Sequence, residues 1–147
     1  MRYRIQGRSG RRIAVVKLER GDEAISSLLE FCRRARVSSG TVSALGAVEK
    51  TTLGWFDRRR RVYVKRTFRG VVELASLTGN IARLGKNPIL HAHVVCSGRS
   101  FRSVAGHLFS ATVAVTVECV VIETGALLRR KPDPRFGLNL LDINEGR

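Results

Sequence analysis

The stretch 112–122 sets Val113, Val115, Val117, Cys119 and Val121 at alternate positions. Successive strand side chains point to opposite faces, and valines branched at Cβ resist a helix, so this run predicts a β-strand with one wholly apolar face. Thr116 and Glu118 share the other face with Ala114, Val120 and Ile122. A glutamate on so apolar a face calls for a buried partner, a cavity or an oligomer interface. A chain organised around such a strand is a sheet protein.

The rest of the chain supplies partners for it. Ile-Ala-Val-Val within 12–18 reads as a strand, and 41–48, 51–56, 62–64 and 71–82 follow with turn signals between them. Gly79-Asn80 marks a bend or bulge in the last of these. Gly85-Lys86-Asn87-Pro88 and Ser97-Gly98-Arg99-Ser100 are further turns. One segment has helical periodicity. After Gly21-Asp22-Glu23, which puts acidic residues in the first turn, Ile25, Leu28, Leu29 and Cys32 form an i, i+3, i+4, i+7 stripe. Arg33, Arg34 and Arg36 close the helix, where cations complement its dipole, and this gives that cluster a structural reason.

All three histidines lie close together in sequence. His91 and His93 stand one residue apart in the apolar run 89–95, so on a strand they face the same way, and His107 follows in Ala105-Gly106-His107-Leu108. Three imidazoles can ligate a divalent metal with one coordination position open. The same spacing also suits three histidines satisfied by hydrogen bonds on a half-buried hairpin.

Lys and Arg number 27 against 12 Asp and Glu, a net charge of +15. Such a field attracts polyanions and suits phosphate contacts with nucleic acid, strongly salt-dependent and poor in sequence information. The cations gather at element ends and turns: Arg2, Arg4, Arg8, Arg11 and Arg12; Arg58, Arg59, Arg60 and Arg61 with Lys65, Arg66 and Arg69; and Arg129, Arg130, Lys131 and Arg135. A solvated role is the default there. Residues 58–61 tip a hairpin flanked by Trp55, Phe56 and Tyr63. Aromatics interleaved with arginines suit stacking on unpaired bases, and cross-strand packing is the competing role.

With 147 residues the chain fits one domain, 1–147, ending in a basic segment, 129–147. Cys32, Cys96 and Cys119 are odd in number and form no Cys-x-x-Cys pair, which argues against a disulfide framework or a thiolate zinc site. Cys32 and Cys119 are expected as buried free thiols. No apolar run approaches a membrane span and the N-terminus has no signal-peptide core, so a soluble cytoplasmic protein is expected, with no membrane partner.

Four ordered segments carry a resemblance: Glu73-Leu74-Ala75-Ser76-Leu77-Thr78-Gly79-Asn80-Ile81, His91-Ala92-His93, Ala105-Gly106-His107-Leu108, and the run from Val113 to Glu118. Together they closely resemble the plant and prokaryote conserved (PPC) domain. The stretch from Leu128 to Leu141 looks like the closing segment of bacterial members. The resemblance implies an α/β (α+β) fold, with a largely antiparallel sheet, one main helix packed on it and assembly as a homotrimer. It also implies a metal ion, zinc, held by His91, His93 and His107. The family's Gly-Gly-His-Leu has Ala105 at its first position here, which would restrict a turn needing φ > 0 but removes no ligand.

Members of this family in plants accompany AT-hook motifs in DNA-binding proteins, and bacterial members are commonly labelled DNA-binding. This chain has no Arg-Gly-Arg-Pro hook; its nearest run, Gly7-Arg8-Ser9-Gly10-Arg11-Arg12, lacks the proline. DNA binding would therefore rest on the positive field, with Arg58, Arg59, Arg60, Arg61, Lys65 and Arg66 as the residues that meet phosphate. The rival is an enzyme, because the fold is also similar to that of acetolactate decarboxylase, which uses a three-histidine zinc. The metal site would then take a small-molecule ligand in a lyase or hydrolase reaction, with Glu73 and Glu118 as candidate catalytic carboxylates. A third reading is a trimeric interaction module. No Ser/His/Asp set, phosphate loop or dinucleotide fingerprint is present.

Overall fold

A computed structural model describes residues 1–143 as nine strands and one helix in the order β1 (Arg2–Gln6), β2 (Ile13–Glu19), α1 (Ala24–Ala35), β3 (Gly40–Asp57), β4 (Val62–Phe68), β5 (Val72–Leu84), β6 (Asn87–Ser97), β7 (Ser103–Glu123), β8 (Arg129–Asp133) and β9 (Leu138–Asp142). The end of the basic segment, 144–147, lies outside the described residues. The sheet runs β1-β2-β7-β3-β5-β8-β9, with β4 on β3 and with β6 bridging β5 and β7. The pairings β3–β5, β5–β6, β6–β7 and β7–β3 close a circuit, and all are antiparallel. The largely antiparallel sheet with one helix is the α+β architecture expected. Among the described residues no helix is long and apolar enough to cross a membrane.

The alternation in β7 holds over its second half. Val117, Cys119 and Val121 are buried while Glu118, Val120 and Ile122 are exposed. Val115, expected on the buried face, is 65% exposed. The register against β3 shifts between the Val48–Val113 and Gly46–Val117 pairs, and this irregularity turns Val115 outward. Within the chain Glu118 faces outward opposite Lys17 and Leu45, so of the three settings expected for it neither a buried partner nor a cavity is met, and the oligomer interface stands.

Two further expectations are corrected. Segments 41–48 and 51–56 belong to one strand, β3, in which Lys50 adopts φ 48° and absorbs what reads in sequence as a turn. Gly79 is no bend: it pairs regularly with Val42 and with Ala92, and the β5 bulge falls between Leu74 and Ser76. A Cβ at Gly79 would stand 2.5 Å from the His91 carbonyl oxygen, so the glycine lets the histidine strand approach closely.

Helix α1 packs on β6 and β7 through Ala24, Leu28, Phe31 and Cys32, with Ile25 only partly buried at the edge of the stripe. Its acidic residue acts from the cap position, where the Glu23 carboxylate accepts from the backbone N–H groups of Ile25 and Ser26. The core joins this helix to Val16, Leu18, Val42, Leu77, Val94, Val117 and Val121. Cys32, Cys96 and Cys119 are buried and free, and burial pushes the Cys32 and Cys119 thiols up to about 12.

One buried ion pair ties three elements together. Arg12 grips Glu123 at 2.7 and 2.8 Å through Nε and Nη2, and its remaining N–H groups donate to the Ala35 and Arg36 carbonyls at the end of α1. Their side chains are 17% and 7% exposed. Removing one partner of a buried pair strands the other charge, so Arg12→Ala should cost roughly 3–5 kcal/mol in urea unfolding. The hydrogen bond from Arg12 holds the Glu123 carboxyl below its ordinary 4.5. Its contribution is therefore present above pH 4.5 and is lost as pH falls through the lowered value. Unfolding of Glu123→Gln measured at neutral pH and below pH 4.5 should lose less stability with acid than the wild type does.

Candidate metal centre

Alternation along β6 and β7 sends Ala92, Val94 and Leu108 into the core, and it sends His91, His93 and His107 to the opposite, outward face. His93 pairs directly with His107 across the two strands, and His91 lies opposite Asn80 of β5. The ring centroids stand 5.0 to 5.5 Å apart, and one ring nitrogen of each histidine lies within 4.8 Å of the others. Ala105 pairs with Val95 as ordinary strand and is not among the residues with positive φ, so the absent glycine leaves no strain.

The surroundings come from β4 and from the C-terminal hairpin. Tyr63 tilts against His107 at 4.9 Å between ring centroids and against Phe109 at 5.0 Å, while Phe56 packs on Tyr63 at 5.1 Å. Cross-strand packing is thus the role of Phe56 and Tyr63, whereas Trp55 is 68% exposed. Gly54, opposite His107, makes room for this cluster, since a Cβ there would collide with the Phe109 ring. Lys65, read in sequence as a nucleic-acid contact, holds its Nζ 3.9 Å above the Phe109 ring, on the histidine side of the hairpin. Arg66 lies over Phe68. Arg58, Arg59, Arg60 and Arg61 are all exposed at the hairpin tip, where Asp57 accepts the backbone N–H groups of Arg59 and Arg60.

Arg130 is the residue that sequence reasoning missed. It sits in a cluster assigned to solvent, yet it is 8% exposed. Its Nη1 donates to the Asn139 carbonyl at 2.9 Å and its Nη2 to Asn80 Oδ1 at 2.7 Å, and Nη2 lies 3.1 Å from His91 Nδ1. A guanidinium only donates, so His91 Nδ1 accepts. The alternation of β8, which leaves Arg129 and Lys131 exposed and Arg130 buried, was the signal that could have found it. Glu73 and Glu118 are not brought to the histidines within the chain. Glu73 is exposed and pairs with Ser97, and Glu118 is exposed toward the other end of β7.

The three imidazoles fit a divalent metal. His107 Nδ1 is buried without a hydrogen-bond partner, an orphan that an ion would satisfy. Burial, then the charges of His91, His93, Arg130 and Lys65, push His107 down to about 4, and burial and Arg130 lower His91, so His107 and His91 offer neutral lone pairs at neutral pH. An all-nitrogen set of three suits zinc, whose ligating nitrogens sit about 3.4 Å apart in tetrahedral geometry, a spacing within reach of small side-chain rotations.

Solved structures share this fold. A protein from Bacteroides thetaiotaomicron described as a "putative DNA binding protein" is 29% identical and superposes with a TM-score of 0.86, covering 95% of this chain and 96% of its own. A metal-containing protein from Archaeoglobus fulgidus is 28% identical, with a TM-score of 0.82 and 95% of each chain covered. A plant- and prokaryote-conserved protein from Pyrococcus horikoshii shares the fold at 24% identity, with a TM-score of 0.85 over 98% of this chain and 96% of that one. No curated protein sequence matches. The profile of the Plants and Prokaryotes Conserved (PCC, or PPC) domain matches residues 5–125, and the chain belongs to that family.

Proposed function

We propose that this chain is a homotrimeric zinc-binding protein whose metal is held by His91, His93 and His107. The carrying observation is the buried, partnerless Nδ1 of His107 within a set of three converging imidazoles. The metal-containing description of the Archaeoglobus relative agrees with it. Zinc with three protein ligands keeps a fourth position for a small molecule and supplies Lewis acidity there. His107 and His91 contribute neutral donors, Tyr63 and Phe109 keep one side of the site dry, and Asn80 and Arg130 hold the His91 ring in place.

The outward face of β2 and β7 supports the trimer. Ile13 pairs with Ile122 and Val15 with Val120, and these four are 51%, 46%, 54% and 39% exposed. A contiguous apolar patch of this kind is a docking surface. Native mass spectrometry of protein purified without an affinity tag should show a trimer carrying one zinc mass per protomer, and His107→Ala should lose the metal but keep the trimer. Val15→Glu with Ile122→Glu should yield monomers; a persistent trimer would place the interface elsewhere.

A second reading, that the protein binds DNA through its phosphates, is favoured by the four exposed arginines on the β3–β4 hairpin tip and by the +15 charge, which three copies would triple. It is the activity named for the Bacteroides relative. Arg66 and Lys65 lie farther along β4 from the tip, opposite Leu53 and Gly54. Replacing Arg58, Arg59, Arg60 and Arg61 by serine should flatten the salt dependence of duplex binding by about 0.9 in log–log slope for every phosphate the variant no longer neutralises. His91→Ala should leave that slope unchanged. Unaltered affinity of the four-serine variant at every salt concentration would remove the hairpin from the DNA interface.

A further inference from the structure

Beside the histidines, β4, β6, β8 and β9 enclose a cleft of about 220 Å³ into which Tyr63, His91, His107 and Arg130 are set. Its remaining walls are mainly apolar: Ile89, Leu90, Leu138 and Leu140. We propose that this cleft binds a short-chain carboxylate, with Arg130 as the residue that receives its carboxyl group. The proposal deepens the reading of the histidine site as a small-molecule site, and rests on it for location.

The first argument is charge. Arg130 is more than nine-tenths buried, and desolvation works against its cation. Among the described residues every acceptor it meets is neutral: a carbonyl, a carboxamide and an imidazole. Its Nε–H is buried and finds no acceptor among the described residues. Among the described residues no aspartate or glutamate lines the cleft. A buried guanidinium with an unmet N–H and no counter-ion favours an anion beside it, and a carboxylate brings that charge on a small group. A divalent ion on the histidines would add to the same demand.

The second argument is size and lining. The cleft holds about seven waters' worth of liquid volume, below the range of pockets for nucleotides and drug-sized cofactors. Four oxygens of a phosphate would find few donors among four aliphatic walls, whereas a carboxylate needs donors at one end and leaves a hydrocarbon tail for Leu138 and Leu140.

The test is calorimetric titration of the full chain, metal-free and zinc-loaded, with butyrate, its neutral analogue butyramide, and inorganic phosphate. Butyrate is expected to bind, butyramide not, and Arg130→Gln should weaken butyrate by about 30-fold or more, with partial recovery in Arg130→Lys. Should Arg130→Gln fail to fold, Leu138→Trp, which fills the cleft and leaves the arginine intact, should abolish butyrate binding by itself. Butyrate affinity unchanged in Leu138→Trp, equal binding of butyramide, or phosphate binding in preference to butyrate would overturn the proposal. Zinc uptake with no butyrate binding in either form would overturn it while leaving the metal centre standing. Butyrate binding to a protein that takes no zinc would uphold it and discard the metal.

Discussion

The antiparallel pairing of β3 with β7 is the constraint from which the rest of the molecule follows. A straight strand of 21 residues would span about 70 Å, while a globular chain of this length has a radius of gyration near 15 Å. The two strands must therefore bend together. Their register shifts record where they do so: between Gly46 and Val48, between Glu49 and Thr52, and again before Leu53. Gly46, at φ 150°, lies against the Thr116 carbonyl so closely that no side chain fits, which puts the bend where the sequence has a glycine. One half of the bent pair carries β2 and β5, and α1 packs on β6 and β7. The other half carries β4 and β6, and the histidines stand on its outer face.

This geometry explains which features could be read in the sequence. Alternation survives wherever the pairing is regular, so the second half of β7 and the His91–His93 pair were legible from spacing, while β2 was legible only as an apolar run, since Ile13 and Val15 on its exposed face are as apolar as Ala14 and Val16 on its buried one. It fails at bends. Val115 follows the pattern in sequence and leaves it in space, and Lys50 reads as part of a turn because a bulge and a turn draw on the same backbone conformations. Gly79 was legible as necessary but not for its reason: a missing Cβ serves close approach as readily as a bend, and only the position of the His91 carbonyl separates the two. The short edge strand β1 left no signal, because all of its residues are exposed and no buried stripe forms.

Charge was legible in total and illegible in its parts. The notion that arginines at element ends are solvated describes 58–61 well and fails for Arg12 and Arg130, which lie in runs of the same composition. What distinguishes these two is what they meet. Arg12 meets a carboxylate and two helix-terminal carbonyls, and so becomes a structural clasp. The same engagement withdraws it from the exposed charge of the basic N-terminal run. Lys65 is turned from the arginine-tipped end of its hairpin toward Phe109 by a ring face that no local sequence window contains.

Arg130 differs from both in meeting only neutral groups, and the consequence reaches the histidines. A cation beside imidazoles disfavours their protonation, as burial does, so His91 and His107 keep the neutral form that a metal requires. The same cation repels a metal unless negative charge enters with it, because three imidazoles bring none. Among the described residues no carboxylate lines the cleft beside the histidines, so the donors suit a divalent ion and the field favours an anion alongside. Glu73 and Glu118 do not supply that charge from where β5 and β7 hold them, Glu73 opposite Ser97 and Glu118 opposite Lys17.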